Sequence, residues 1–202
     1  MKIIMSLLLL SILLFSCAEI VAPSGGEKDT QPPKVKKSSP ENYTTNFNSN
    51  KIEIKFDEFI KLNSGGGNIL ISPSLENKPK FELIGKKVII IFKEKLLKET
   101  TYIINFGSSI KDNNEGNILK DYKFIFSTGS FIDSLKIEGK VLNAFNKEAV
   151  DNVLVALYKK DEDSVLYKKP LYFTKTNKEG QYSLENLKSN SYQIVALEDK
   201  NL

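Results

Sequence analysis

Two adjacent carboxylates, Asp57 and Glu58, are the residues whose types most obviously offer acid–base chemistry. They follow Lys51–Phe56, in which polar and apolar residues alternate with the period of a half-buried strand. Neighbouring residues on a strand point to opposite faces of a sheet. A glycosidase needs two carboxyl groups that flank one bond. We therefore predict that Asp57 and Glu58 do not form a catalytic pair.

A second group of oxygen ligands lies at Asp112, Asn114 and Glu115. Their spacing is similar to the start of a calcium-binding EF-hand loop, which has glycine at its sixth position and a bidentate glutamate at its twelfth. Here Gly116 comes one place early, and Lys123 stands at the twelfth position. We predict a polar turn at this point, with calcium binding as the alternative.

Two other polar segments offer weaker patterns. Asp199 and Asn201 could begin a calcium-type loop, but no partner ligands follow them in the sequence. The run Lys159–Asp163 is dense in charge, and we expect it to be a solvated loop.

The composition excludes several classes of chemistry. The 202 residues include no histidine, no tryptophan and one cysteine, and all 29 basic residues are lysines. Without histidine, zinc sites and Ser-His-Asp or Cys-His nucleophiles are excluded. A net charge of +4, with 25 acidic residues interleaved, does not make a nucleic-acid patch. We predict no enzymatic activity, no cofactor, no metal ion and no nucleic-acid partner.

The single cysteine, Cys17, follows an apolar run near the start of the chain. Lys2 is followed by Ile3–Phe15, in which only two serines are polar. As a helix this run would be about 20 Å long, against roughly 30 Å of bilayer hydrocarbon. A charged start and a short apolar run are typical of a secretory signal peptide.

The residues Leu14-Phe15-Ser16-Cys17 resemble the lipobox of bacterial lipoproteins. The resemblance implies that a diacylglycerol is attached to the Cys17 thiol and that the chain is cut just before it, so that residues 1–16 are the signal peptide. The alternative is cleavage after Ala18 at an ordinary small-x-small site. A lone cysteine has no partner for an internal disulfide. Because lipidation accounts for it, we predict a lipid anchor on Cys17.

The rest of the sequence supplies the elements that would position any site. Residues 17–33 are rich in proline, glycine and charge, which indicates a flexible tether. Residues 34–130 contain six or seven short strand-like segments, and a second series fills residues 131–202. We predict an all-β chain with two consecutive antiparallel β-sandwich (Ig-like) domains after the signal peptide and tether. The second domain is short for a sandwich, and we expect it to lack a closing strand.

Pro40–Gly129 resembles the bacterial Ig-like domain of S-layer and surface proteins. The matching segments are Lys51–Glu58, Leu96 with Tyr102, Asp112 with Gly116 and Asn117, and Phe124–Gly129. The spacing of Leu96 and Tyr102 resembles a tyrosine corner, in which the ring packs inward and the hydroxyl bonds to a nearby backbone group.

Leu135 and the residues after it resemble the carboxypeptidase regulatory-like domain, a transthyretin-type sandwich. The matching segments are Ile137–Val141, Val153–Leu157, Thr176–Tyr182 and Leu187–Ile194. Asn190 stands where that family has glycine, which implies a left-handed backbone at this residue.

The order of tether, Ig-like domain and regulatory-like domain resembles a family of Bacteroidota lipoproteins. The resemblance implies a cell-envelope location, in the outer membrane, and brings no established activity. We predict a non-catalytic spacer or binding module. Its partners would be the membrane, through the N-terminal lipid, and an envelope protein or glycan. The alternatives are an accessory domain of an envelope peptidase or glycosidase, and a calcium-dependent adhesion module.

Overall fold

The computed structural model describes residues 26–63, 69–160 and 168–198. Within these ranges the regular structure is entirely β, and all the strand pairs are antiparallel, which confirms the predicted fold class. The first ten strands are β1 (Val35–Ser39), β2 (Lys51–Phe56), β3 (Ile60–Leu62), β4 (Leu70–Ser72), β5 (Lys80–Ile84), β6 (Lys87–Ile91), β7 (Thr101–Asn105), β8 (Ile110–Asp112), β9 (Ile118–Leu119) and β10 (Lys123–Ser127). The remaining five are β11 (Leu135–Lys140), β12 (Leu154–Lys159), β13 (Tyr172–Lys175), β14 (Gln181–Leu187) and β15 (Tyr192–Leu197).

The first sandwich contains β1–β10. One sheet has the order β1-β2-β6-β5, the other has the order β10-β7-β4, and β3, β8 and β9 form a small third sheet. Strand β2 shows how the sequence specifies this arrangement, because Ile52, Ile54 and Phe56 are fully buried while the residues between them reach the surface. Each such side chain contributes about 1.5–3 kcal/mol on burial. The alternation therefore fixes which face of the sheet meets the core.

The predicted tyrosine corner is present at the start of β7. The ring of Tyr102 is buried and stacks on Phe126, with the two ring centroids 5.4 Å apart. Its hydroxyl oxygen accepts a hydrogen bond from the Leu97 N–H at 2.9 Å. Burial raises the pKa of the Tyr102 hydroxyl, and the Leu97 hydrogen bond offsets that rise only in part. The corner thus holds the loop before β7 against the core.

The second sandwich packs the pair β11-β14 against the sheet β13-β12-β15. Its buried cluster is small and consists of Val155, Leu157, Tyr172, Leu184 and Leu187. The turn between β13 and β14 forms at the predicted residues, because the Gly180 N–H donates to the Asn177 carbonyl oxygen at 2.8 Å. Gly180 has a φ of +72°, which glycine adopts without a steric cost.

Two details of the second sandwich differ from the sequence-based expectation or extend it. Asn190 is not left-handed; its side-chain oxygen instead accepts a hydrogen bond from the Ser191 N–H, which organises the turn without a positive φ. Asn186 within β14 is left-handed, with a φ of +55°. Among the described residues, β15 pairs with β12 along one edge and with no strand along the other.

Helices long and apolar enough to span a bilayer are absent from the described ranges.

Candidate functional site

Several of the predicted site residues lie outside the described residues. They are Cys17, Asp199, Asn201 and the acidic part of the loop at residues 161–163. Lipidation of Cys17 therefore stays a prediction. The described part of the tether reaches the first sandwich, since the Asn117 side-chain amide donates to the Asp29 carbonyl oxygen at 2.9 Å and Pro33 is buried.

Asp57 and Glu58 lie in the bend that follows β2, which ends at Phe56. The premise that the two carboxylates sit on a strand is therefore wrong. The Asp57 carboxylate accepts a hydrogen bond from the Lys34 N–H at 2.8 Å and so joins the bend to the chain entering β1. Burial raises the pKa of the half-buried Glu58, and the nearby carboxylates, Asp112 first among them, raise it further. The Asp57 carboxylate is thus bonded to the backbone at Lys34, and the Glu58 carboxyl group lies near other acidic side chains, among them Asp112.

The Asp112 carboxylate is occupied by the backbone of its own loop. One oxygen accepts the N–H groups of Glu115 at 2.7 Å and Gly116 at 2.8 Å, and the other accepts the Asn117 N–H at 2.7 Å. Burial raises the pKa of Asp112, but these hydrogen bonds outweigh it, so the pKa lies below its usual value. These N–H donors organise the loop around the Asp112 carboxylate. In the described part of the chain, no cluster of three or more acidic or cysteine side chains could hold a metal ion.

A single residue, Asp133, hydrogen-bonds to both sandwiches. Its N–H donates to the Thr101 hydroxyl oxygen at 2.9 Å, and the same hydroxyl donates to the Asp133 carboxylate at 2.8 Å. Thr101 is fully buried in the first sandwich. On the other side, the Asn186 side-chain amide donates to the Asp133 carbonyl oxygen at 2.8 Å. The connection between β10 and β11 is thus bonded to both sandwiches at Asp133, two residues before β11 begins.

Three lysines add contacts across the junction. Lys123 on β10 forms an ion pair with Glu185 on β14 at 2.7 Å. Lys188 donates to the Glu99 carbonyl oxygen at 2.8 Å. Lys169 donates to the carbonyl oxygens of Leu75 and Glu76 at 3.0 and 2.9 Å.
Lys123 lies on β10 and Leu75 follows β4, the two outer strands of one sheet, so rotation about the connection would break contacts at both edges of that sheet.

An apolar groove opens beside this junction. Its volume is about 510 Å³, within the range of small-ligand pockets. Both sandwiches line it, with Ile71 and Phe81 from the first and Leu154, Pro170 and Phe173 from the second. The junction contacts and the groove were not predicted from the sequence, because their members are far apart along the chain and carry no local motif.

Comparison with known proteins bears on the first sandwich. Residues 29–128 match the sequence model of the bacterial Ig-like domain. A search among curated proteins found no match. The predicted regulatory-like character of the second sandwich and the lipoprotein family stay predictions.

Three solved structures are similar to this chain. The first is the N-terminal part of the bacterial S-layer protein SbsC, with 14% identity, 84% of this chain and 45% of that chain covered, and a TM-score of 0.34. The second is the major pilin subunit of Bacillus cereus, with 13% identity, coverage of 81% and 58%, and a TM-score of 0.27. The third is a backbone pilin of Streptococcus pyogenes, with 9% identity, coverage of 72% and 42%, and a TM-score of 0.25. The chain spans less than two thirds of each. The match to the bacterial Ig-like domain covers residues 29–128 of this chain.

Proposed function

We propose that this protein is a non-catalytic, lipid-anchored module of the cell envelope whose two sandwiches act as a rigid spacer and binding surface. The lipid would be attached to Cys17, and the tether at residues 17–33 would link it to the Ig-like domain. The match of residues 29–128 to the bacterial Ig-like domain supports a structural or adhesion-type role. The outer membrane is the location that the resemblance favours.

The observation that carries the spacer role is the hydrogen-bonded junction at Asp133. Domains in one chain move relative to each other by default unless their interface restrains them. Here the connecting segment is bonded to Thr101 on one side and to Asn186 on the other through the same residue. A spacer must keep the direction of its distal domain, and this junction supplies the restraint.

The state of the acidic residues supports a non-catalytic role. Asp57 and Asp112 direct their carboxylates at backbone N–H groups. A general acid or base needs a carboxyl group that can reach a substrate. The same contacts weigh against calcium-dependent adhesion through the Asp112 loop, since a calcium ion would have to displace three hydrogen bonds.

Membrane attachment is tested by comparing the full chain with two variants in cell fractions. We expect the wild-type chain and the tether variant Ser24→Ala to sediment with the membranes, and Cys17→Ala to be released or retained as unprocessed precursor. Ser24→Ala is the matched control because it changes a small polar residue of the same segment without removing the thiol. A wild-type chain found in the soluble fraction at its unlipidated mass would contradict the anchor.

Rigidity is tested by the distance distribution between spin labels on the two sandwiches. Labels at Lys95→Cys and Lys178→Cys, in a Cys17→Ser background, occupy exposed positions of the two domains. We expect one narrow distribution, which Thr101→Val broadens because it removes both hydrogen bonds between the first sandwich and Asp133, and which the exposed control Asp151→Ala leaves unchanged. A distribution that is already broad in the parent protein would refute the spacer role.

A further inference from the structure

The tether is bonded to one end of the first sandwich. The Asn117 side-chain amide donates to the Asp29 carbonyl oxygen at 2.9 Å. The Lys34 N–H donates to the Asp57 carboxylate at 2.8 Å, and the Asp57 N–H donates to the Lys34 carbonyl oxygen at 3.0 Å. These four residues mark the end of the sandwich at which the chain arrives, which we call the entry end.

Exposed apolar side chains lie at the same end. Phe59 comes three residues after Phe56, which ends β2 beside the start of β1. Leu83 and Ile84 lie at the tip of the β5–β6 hairpin, and the Lys86 carbonyl oxygen in its turn accepts the Phe56 N–H at 2.9 Å. Phe59 and Ile84 are each 57% exposed, and Leu83 is 44% exposed. Strand pairing therefore brings three exposed apolar side chains to the end where the tether arrives.

Lys86 adds a positive charge to this apolar group. Its ammonium nitrogen lies over the Phe59 ring, 5.4 Å from the ring centroid, and donates to the Asp57 carbonyl oxygen at 2.7 Å. Lysine can rest its apolar stem on such a surface while its charge stays in a polar layer. Membrane-interface segments combine phenylalanine or leucine with lysine in this way. The residue types at the entry end thus match the boundary between acyl chains and headgroups.

Equally exposed side chains lie at the opposite end of the sandwich, so exposure alone does not select the entry end. Strand β1 runs away from the entry end, and the segment after it reaches the end of β10, where the Phe47 N–H donates to the Ser127 carbonyl oxygen at 2.9 Å. Leu97 lies before β7, whose start pairs with the end of β10, and Phe131 follows β10. Leu97 is 56% exposed and Phe131 is 60% exposed. The six residues of β2 alone separate the two ends by about 17 Å.

The path of the tether distinguishes the two ends. Twelve residues lead from Cys17 to Asp29, and even a fully extended chain of that length spans no more than about 43 Å. A lipid on Cys17 would therefore keep the entry end within this distance of the bilayer. When the entry end touches the bilayer, the opposite end faces away from it.

Charge limits the kind of membrane that fits. The carboxyl groups of Asp57, Glu58 and Asp112 lie close to one another near the entry end. The surface potential of an anionic membrane attracts basic segments, and a group of acids does not favour it. Apolar contact with phospholipids of zero net charge is the interaction that this end supports.

We propose that Phe59, Leu83 and Ile84 form a membrane-contact surface that inserts into the interface of the bilayer, with Lys86 at the level of the headgroups. The surface rests on the proposed lipid anchor to reach the membrane, and it adds a second attachment to the acyl chains. It also orients the first sandwich, with its entry end against the bilayer and its opposite end directed away.

The test attaches the protein to vesicles without relying on lipidation in cells. The chain from Cys17 onward is coupled through its only thiol to a maleimide phospholipid in phosphatidylcholine vesicles with brominated acyl chains. Because the chain has no tryptophan, Phe59→Trp introduces a single fluorophore, and Phe131→Trp is the control of matched exposure. We expect bromine to quench Phe59→Trp at least about threefold more strongly than Phe131→Trp. Equal quenching, or no quenching of Phe59→Trp, would overturn the proposal.

A second pair of variants tests whether apolar contact causes the insertion. In the Phe59→Trp protein, Ile84→Ser removes an apolar side chain of the membrane-contact surface, and Leu97→Ser removes one of matched exposure at the opposite end. Ile84→Ser should lower the quenching at least about twofold, and Leu97→Ser should leave it unchanged. Both side chains are exposed, so neither change opens a cavity in the core, and the urea midpoint checks that each variant is folded. Unchanged quenching in Ile84→Ser would refute the role of this surface.

Failure of the membrane-contact surface and failure of the lipid anchor give different results. Chemical coupling supplies the attachment, so the quenching of Phe59→Trp does not depend on whether cells add lipid to Cys17. Unquenched Phe59→Trp would overturn the membrane-contact surface even if lipid were found on Cys17 in cells. A cellular chain without lipid would contradict the anchor, and strong quenching of Phe59→Trp would still support the surface.

Discussion

The tyrosine corner allows a quantitative test of how the first sandwich is held together. Tyr102→Phe removes only the hydroxyl oxygen that accepts the Leu97 N–H at 2.9 Å and leaves the buried ring on Phe126. A typical hydrogen bond contributes about 0.5–1.5 kcal/mol, and a buried donor left unpaired costs about 1–3 kcal/mol. The Leu97 N–H is only partly buried, so water can reach it. We expect a loss of about 1.5 kcal/mol in the free energy of unfolding.

The assay is urea unfolding of the mature chain with Cys17→Ser, with the change in midpoint converted through the slope of the transition. Tyr102→Ala, which also removes the stacked ring, should cost about 3–5 kcal/mol. Tyr43→Phe is the matched control, because Tyr43 is 59% exposed and its change should stay within about 0.5 kcal/mol. If Tyr102→Phe unfolds at the same urea concentration as Tyr43→Phe, the hydroxyl does not stabilise the loop and the reasoning is refuted.

Three further predictions concern a turn and two ionisable groups. Gly180→Ala should lower the free energy of unfolding by at least about 2 kcal/mol, because the added Cβ would lie 2.6 Å from the Val141 carbonyl oxygen and the residue has a positive φ. The control Gly85→Ala, with a φ of +59° and open space around it, should lower it by only about 1 kcal/mol. Equal losses in the two variants would contradict this prediction. The raised pKa of Glu58 means that the native state holds this proton more tightly than the unfolded chain, so ionisation at neutral pH destabilises the fold. Glu58→Gln should therefore raise the melting temperature at pH 7 and leave it unchanged at about pH 3, below the unfolded pKa, and a decrease at pH 7 would be inconsistent with the sign. Burial raises the pKa of Tyr122 from 10.0 to about 12, so the free energy of unfolding should fall as the pH rises between these values. Tyr122→Phe should reduce that fall. If the absorbance of the Tyr122 phenol in the folded protein titrates near pH 10, the prediction is contradicted.

The sequence was a good guide wherever one strand carries its own pattern. The alternation in β2 predicted which residues are buried, and the spacing of Leu96 and Tyr102 predicted the corner. Short strands were missed. Strands β3, β8 and β9 have two or three residues each and are defined by pairing with one another, so no local periodicity marks them.

Contacts between the two sandwiches could not be predicted in this way. Asp133 is an unremarkable acidic residue in the sequence, and its role depends on Thr101 and Asn186, which lie on different domains. The strand assumed to carry Asp57 and Glu58 ends one residue before them, and this shift changed the argument about that pair.

The most direct test of the proposed envelope module is to purify the mature chain from the membranes of the cells that produce it and to determine its mass and its first residue. A chain that begins at Cys17 and carries the added mass of a diacylglycerol, with or without a further acyl group, is the result that we predict. A chain that begins at Glu19 without lipid would contradict the anchor and, with it, the proposal that the two sandwiches work while attached to a membrane.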